Sequence, residues 1–345
     1  MAEPSSAAFR QPSGAVAVGM DLLESVDKLP MNSIADIKIS VVIPAFNARQ
    51  TIGETLDSVF QQTTPPFEIL VMDDGSTDGT SSLVREYGER IKVFRQPNCG
   101  LSASRNALIK KASGSLISFL DADDIMHPLY LEILTETVQK HSNAVGFFVG
   151  HFDFRTRDAL SWSKVDKSAA AELMSGPELF KRLRRSPALF ACGSCFSAPK
   201  KALTELGETP FLEDGAEDFY CYSRLSLEGS TIYNPNPLLA YRVHSKSLSS
   251  NRVRGLEALV SAFERLEPYF SGSAEFVRSL ASHRRNYAKY LLGVGRVGEA
   301  RQQLLRSITT SLSPDSVAKS VGMYSLTYFP RRLQPRWPTA YRLPQ

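Results

Sequence analysis

The stretch IKISVVIPAFN, residues 37–47, decides the fold. Its apolar run, IKISVVIP (37–44), lacks the polar alternation of a half-exposed strand, so a strand formed here has to be covered on both faces. The next 80 or so residues repeat the theme. ARQTIGETLDSVFQQT (48–63) sets Ile52, Leu56, Val59 and Phe60 on one face of a helix. FEILVMDD (67–74) reads as a second strand, TDGTSSLVREYGE (77–89) as a helix and IKVFRQ (91–96) as a third strand. GLSASRNALIKKASG (100–114) reads as a helix with Gly114 as its C-cap, and SLISFLDADD (115–124) as a fourth strand. Strand and helix alternate with a repeat of roughly 25 residues, the rhythm of right-handed βαβ units and a mostly parallel sheet flanked by helices.

In such a sheet ligands bind beyond the carboxyl ends of the strands. The polar clusters fall there: PAFN after the first strand, DDGSTD after the second, QPNCG after the third and DADD after the fourth. The last places Asp121, Asp123 and Asp124 directly behind an apolar run. One Asp suffices to cap a helix. Three repel one another unless a cation or a ligand sits among them. Asp121 and Asp123 point the same way in extended chain and can share one ligand. Asp124 is left to cap the helix expected near Pro128. In DDGSTD a turn and an N-cap need one Asp, which makes the second of the pair Asp73–Asp74 surplus.

The chain as a whole sets bounds. It has 345 residues, 43% hydrophobic and 22% charged, an ordinary globular composition. No apolar run approaches the roughly 18 residues of a membrane span. Four cysteines (Cys99, Cys192, Cys195 and Cys221) suggest no disulfide framework, and a cytoplasmic protein is expected. Residues 1–36, rich in Ala, Ser, Pro and Gly, read as a mobile tail with a short helix at MDLLESVDKL (20–29). Residues 37–250 read as the α/β domain and 251–345 as a basic helical region, which holds 15 Lys and Arg against 6 Asp and Glu. Such a surplus suits phosphate, anionic lipid or an acidic partner, or is a solvated helical surface. Within it, HRRNYAKYLLGVGRVGEARQQLLRSI (283–308) reads as two helices joined around Gly293–Gly295. In the middle, AVGFFVGHFDF (144–154), LFACGSCFSA (189–198) and NPLLAYRVH (236–244) read as strands. CGSC (192–195) reads as packing, because no second CxxC completes a zinc site. There is no GxGxxG or Walker loop after the first strand, so dinucleotide and P-loop chemistries fall away, and no nucleic-acid partner is expected.

Taken in order, VVIPAFN (41–47), ILVMDDGSTDGT (69–80), QPNCGLSASRNALIKKASGSLISFLDADD (96–124), GAEDFYCYSRL (215–225) and YRVHSKSLS (241–249) resemble the motifs of the family-2 glycosyltransferases over about 210 residues. The resemblance implies a GT-A fold and inverting transfer of a sugar from a nucleotide-diphosphate donor, most usually a UDP-sugar. It implies a divalent cation, Mn²⁺ or Mg²⁺, and a glycan or lipid-linked sugar acceptor in bacterial polysaccharide assembly. With no spanning helix, a lipid-linked acceptor would be met peripherally, through the basic C-terminal region.

The resemblance also assigns roles. Asp123 would bind the metal, and Asp121 the metal or the donor ribose. Asp74 would accept from the nucleoside base, with Asp73 the less certain partner. The Pro44–Ala45 backbone would contact the base and Phe46 would stack on it, or simply pack. Arg105, one turn into a helix whose N-terminus suits phosphate, would approach the donor, or is a surface Arg. His244 would contact the diphosphate or the metal. Asp218 would be the general base and Glu217 would orient the sugars. The alternative for these two is plain complementation of a helix dipole.

Two other functions compete. A non-catalytic sugar-nucleotide or glycan-binding module could use the same fold, but Asp123 and Asp218 together favour an enzyme. A nucleotidyltransferase would want a Gly-rich basic loop after the first strand, and PAFNARQ does not supply one.

Overall fold

A computed structural model describes residues 37–185, 192–212, 215–243, 252–329, 334–335 and 337–338. The expected tail over 1–36 and the site candidate His244 lie outside these residues.

The first half is the repeat expected from the sequence. It runs β1 (Ile39–Ala45), α1 (Ile52–Phe60), β2 (Glu68–Asp73), α2 (Thr80–Arg85), β3 (Lys92–Arg95), α3 (Leu101–Lys111) and β4 (Leu116–Phe119). All four strands are parallel, and every residue of β1 is buried. Strands β2 and β4 flank β1 and β3 pairs with β2, so the winding reverses between β1 and β4. A cleft opens at such a reversal, at the carboxyl ends of those two strands. Phe46 and Asp121 follow those ends.

The second half is mixed. It runs β5 (Ile125–Met126), α4 (Tyr130–Lys140), β6 (Gly146–Phe154), β7 (Glu172–Met174), α5 (Gly176–Arg185), β8 (Phe196–Pro199), α6 (Lys200–Glu205), α7 (Glu217–Glu228) and β9 (Thr231–Arg242). The sheet order is β3-β2-β1-β4-β8-β6-β9-β5, with β7 on β9. Strand β8 runs antiparallel to both β4 and β6. That places residues 192–195 beside the end of β4.

Helices α8 (Arg252–Leu266), α9 (Ala274–Gly293), α10 (Val297–Thr310) and α11 (Pro314–Leu326) follow. The break between α9 and α10 falls at Gly293–Val297, as the sequence suggests. These helices share one hydrophobic cluster with α7 and one face of the sheet. Phe219 of α7 packs on Phe263 of α8 at 4.7 Å between ring centres, and Phe263 on Phe276 of α9 at 5.3 Å. None of the described helices is long and apolar enough to cross a membrane.

Three local expectations are corrected. Gly114 does not cap α3, which ends at Lys111 with Ala112 extended. A Cβ on Gly114 would lie 2.4 Å from the Lys38 carbonyl oxygen, so glycine is required there by close approach to the chain entering β1. The helix expected over 77–89 is only α2, because Gly79 (φ 94°) and Gly88 (φ 60°) break it at both ends. Strand β9 begins at Thr231, before the expected 236, and runs through Pro235 and Pro237 across a register shift opposite Gly150.

Candidate active site

The loops after β1 and β2 are knitted to each other. Asn47, in the left-handed region at φ 49°, accepts from the Thr77 N–H at 2.9 Å, and its own N–H donates to Ser76 Oγ at 2.9 Å. Asp73 is buried and accepts from the Ser76 N–H at 2.9 Å, closing the turn. It also faces the half-exposed Arg95 at 3.5 Å. Asp74 accepts from Gln96 Nε2 at 2.7 Å, from the Cys99 N–H at 3.0 Å and from the Gly100 N–H at 2.8 Å. Asp74 is therefore not surplus to the local fold. It is buried and ties down the loop that leads into α3. Pro44 and Ala45 are buried in β1, whereas Phe46, just past its end, is 50% exposed.

The aspartates after β4 differ. Asp121 and Asp123 are part-exposed, while Asp124 is fully buried. Asp124 does not cap α4, whose N-cap is Leu129. Its carboxylate accepts from Ser194 Oγ at 2.5 Å and from the Arg242 N–H at 2.9 Å. Burial, reinforced by Asp123 and Asp121, pushes its pKa well above the ordinary range, against the two hydrogen bonds.

Arg105 is neither on the surface nor on an open phosphate rim. It is 1% exposed and sits at the centre of the site. Its Nη2 pairs with Asp121 Oδ1 at 2.8 Å, and its Nη1 with Glu217 Oε1 at 3.1 Å and Asp218 Oδ1 at 2.9 Å. Burial works against its charge, but Asp121, Asp218 and Glu217 outweigh it and hold the guanidinium well above its ordinary pKa. Glu217 and Asp218, at the first turn of α7, are buried too, so they do more than complement a helix dipole. Glu217 also accepts from the Gly215 N–H at 2.7 Å.

One cation therefore faces three carboxylates, and two of them, Glu217 and Asp218, are shifted in protonation. Burial, only partly offset by Arg105, raises Glu217. The same burial, opposed by Arg105 and reinforced by Glu217 and Asp121, lifts Asp218 to about 8. Among the described residues no three His, Cys, Asp or Glu side chains form a ready-made metal cage. Two part-exposed carboxylates in a region of excess negative charge still fit a hard cation that takes its other oxygens from water and a diphosphate.

Sequence reasoning missed Ser194 and ranked Arg242 below His244. Ser194, read only as part of a packing motif, bonds both Asp121 and Asp124. Arg242, at the end of β9, donates from Nε to the Asp123 carbonyl at 2.7 Å and from Nη2 to Glu54 at 2.6 Å. Both contacts span 70 residues or more, and nothing local to either residue signals them.

The model for glycosyl transferase family 2 matches residues 40–207. Over 228 residues the chain is 30% identical to the UDP-Glc:alpha-D-GlcNAc-diphosphoundecaprenol beta-1,3-glucosyltransferase WfgD of Escherichia coli, covering 64% of this chain and 83% of WfgD. It spans only 32% and 20% of the length of two other glycosyltransferases it matches, from Streptococcus pneumoniae and Rickettsia conorii. Among solved structures it resembles S. aureus TarS 1–349 in complex with UDP-GlcNAc, with a TM-score of 0.60 at 19% identity over 84% of this chain and 90% of that one. It also resembles the mannosyltransferase PcManGT from Pyrobaculum calidifontis in complex with GDP-Man and Mn²⁺, with a TM-score of 0.51 at 19% identity over 89% and 85%. The fold is GT-A-like, a mixed and mostly parallel sheet flanked by helices and followed by a helical C-terminal region.

Proposed function

We propose that this chain, which belongs to the family-2 glycosyltransferases, is an inverting, divalent-cation-dependent transferase that moves a sugar from a nucleotide diphosphate to a hydroxyl of a growing bacterial polysaccharide. One observation carries the reading. A single buried guanidinium binds Asp121, from the end of β4, and Asp218, from the start of α7, at 2.8 and 2.9 Å. The motif suited to the donor and the candidate base thus stand on opposite sides of one arginine.

In this reading Phe46 offers its exposed ring to the nucleoside base. The knitted loops after β1 and β2 fix the backbone that follows it. Asp121 and Asp123 would hold the cation, which when bound offsets the charge that builds on the leaving diphosphate. Asp218 takes the proton of the acceptor hydroxyl at a carboxylate oxygen. The freed oxygen lone pair forms the new bond at the anomeric carbon, and the bond to the diphosphate oxygen breaks with its electrons going to the diphosphate. Glu217 keeps Arg105 in register with Asp218 and orients the acceptor. A base of pKa about 8 is strong enough to take a proton late in this step and is ionised in a useful fraction near neutral pH.

A UDP-sugar donor is supported by WfgD, whose name describes transfer from UDP-Glc, and by the UDP-GlcNAc complex of TarS. Mn²⁺ is supported by the PcManGT complex. WfgD acts on a diphosphoundecaprenol-linked sugar, which supports a lipid-linked acceptor met at a membrane surface. Flotation with anionic vesicles tests that contact, and equal recovery with neutral vesicles counts against an anionic surface.

The test of the chemistry is Asp218→Asn, assayed with UDP-sugars and a mixed panel of lipid-linked acceptors. Turnover should fall about 10²–10⁴-fold with UDP affinity kept. Binding without turnover in the unmodified chain would favour the non-catalytic module.

A further inference from the structure

In the segment Asp121–Asp124 the residues Asp121 and Asp123 are part-exposed, and the main chain is held from three separate elements. The Asp121 N–H donates to Ser194 Oγ at 2.9 Å. The Ala122 carbonyl accepts from Thr51 Oγ1, at the start of α1, at 2.8 Å. The Asp123 carbonyl accepts from Arg242 Nε at 2.7 Å. Ser194 closes the set by donating to Asp124 Oδ2 at 2.5 Å. An N–H only donates, so the serine hydroxyl keeps its single proton for Asp124 and offers a lone pair to Asp121. No other side chain in this set bonds the segment at both of its ends.

The turn carrying Ser194 is fixed in its own right. Its carbonyl accepts from the buried Tyr130 hydroxyl at 3.2 Å, and Ser194 is fully buried. The preceding Gly193 lies flat against the buried arginine. A Cβ there would stand 2.1 Å from Arg105 Nη2. Two adjacent residues therefore touch both charged networks: Ser194 holds the frame of Asp121–Asp124, and Gly193 leaves room for the guanidinium that binds Asp218. The flanking Cys192 and Cys195 are buried and serve as the packed ends of the turn.

We propose that Ser194 is a positioning residue, which sets the Asp121–Asp124 turn so that the Asp121 and Asp123 carboxylates meet a cation and a diphosphate together. This role rests on the donor-site reading of the same carboxylates. A hydroxyl with a purely packing role would affect the stability of the chain and leave its cation affinity unchanged. A positioning hydroxyl changes the cation affinity itself, because groups that orient metal-binding side chains are typically worth about 10–100-fold in metal affinity.

The experiment measures Mn²⁺ uptake by the whole chain in the presence of UDP, from loss of the electron paramagnetic resonance signal of free Mn²⁺, with thermal melting recorded alongside. Ser194→Ala should weaken Mn²⁺ binding by about 10–100-fold. Ser194→Thr, which keeps the hydroxyl, should bind Mn²⁺ more tightly than Ser194→Ala does. A folded Ser194→Ala variant that takes up Mn²⁺ as the unmodified chain does overturns the inference, whatever its melting temperature. If Ser194→Ala does not fold, Thr51→Val tests the same frame at Ala122 from a partly exposed position. A several-fold loss supports the inference and no loss overturns it. An unmodified chain that takes up no Mn²⁺ with UDP present removes the donor-site reading itself, a result distinct from equal uptake by parent and variant.

Discussion

At the end of β2, Asp73 and Asp74 accept four hydrogen bonds from Ser76, Gln96, Cys99 and Gly100, all within the loops they join. At the end of β4, Asp121 meets an arginine that Glu217 and Asp218 also share, more than 90 residues further on. The two motifs look alike in sequence, each an aspartate pair behind an apolar strand. They differ in where their partners come from. The first pair is bonded within its own loops, with Asp73 Oδ2 left to Arg95 at 3.5 Å, and ties those loops together. The second set is joined through the buried Arg105 to Glu217 and Asp218, so that three carboxylates share one guanidinium, and in the proposed reading that excess makes a site for a cation and an anionic donor. A carboxylate cluster points to function through its unbalanced charge, more than through its number of aspartates.

The largest effect that would break this contrast is expected at Arg105. Arg105→Ala leaves the buried Glu217 and Asp218 and the part-exposed Asp121 without their cation and should cost about 3–5 kcal/mol of stability in urea unfolding. Arg95→Ala, which removes the looser and half-exposed partner of Asp73, should cost less than about 1 kcal/mol. Equal losses would erase the distinction between the two regions.

Asp218 sharpens it through pH. Its folded pKa, about 8, is far above that of an aspartate in the unfolded chain. Between those two values the native state holds a proton that the unfolded state has released. This contribution to stability is therefore complete below the ordinary aspartate range and is lost as pH rises through about 8. Asp218→Asn should flatten the fall in melting temperature between pH 7 and pH 9. Turnover in the unmodified chain should rise over the same interval as the base ionises. A turnover profile that is flat there would separate Asp218 from proton transfer.

A smaller change is expected at Asp74. Asp74→Asn keeps the shape but weakens charge-assisted bonds to two backbone amides and Gln96, and should cost about 1–2 kcal/mol of stability. The dependence of UDP binding on Mn²⁺ should be unchanged. The smallest effect belongs to Phe46. Its ring is half exposed, so Phe46→Ala should leave the melting temperature in place and lower UDP affinity by about 2–10-fold, the range of one aromatic stacking contact.

The four parallel strands were legible because β1 to β4 are short, apolar and regularly spaced, and the cleft followed from their carboxyl ends. The DADD and AED motifs were legible as charged groups. Their joining was not. It depends on Arg105 lying on the buried side of α3, and a helix of such mixed polarity gives no clear face to read. Ser194 was hidden for a similar reason. Its turn reaches the end of β4 only because β8 runs antiparallel beside that strand, a pairing that no local signal announces. Pro235 and Pro237 disguised the start of β9, because proline argues against a strand unless a bulge absorbs it.

In the proposed reading the carboxylates after β4, which share Arg105 with Glu217 and Asp218, and not the pair bonded within its own loops after β2, hold the donor through a cation. Calorimetric titration of UDP into the chain, with Mn²⁺ and then with EDTA, tests this most directly when run in parallel on Asp123→Ala and Asp74→Asn. The expected result is UDP binding that needs Mn²⁺, is lost in Asp123→Ala and persists in Asp74→Asn. Mn²⁺-dependent binding that survives Asp123→Ala but disappears in Asp74→Asn would contradict it.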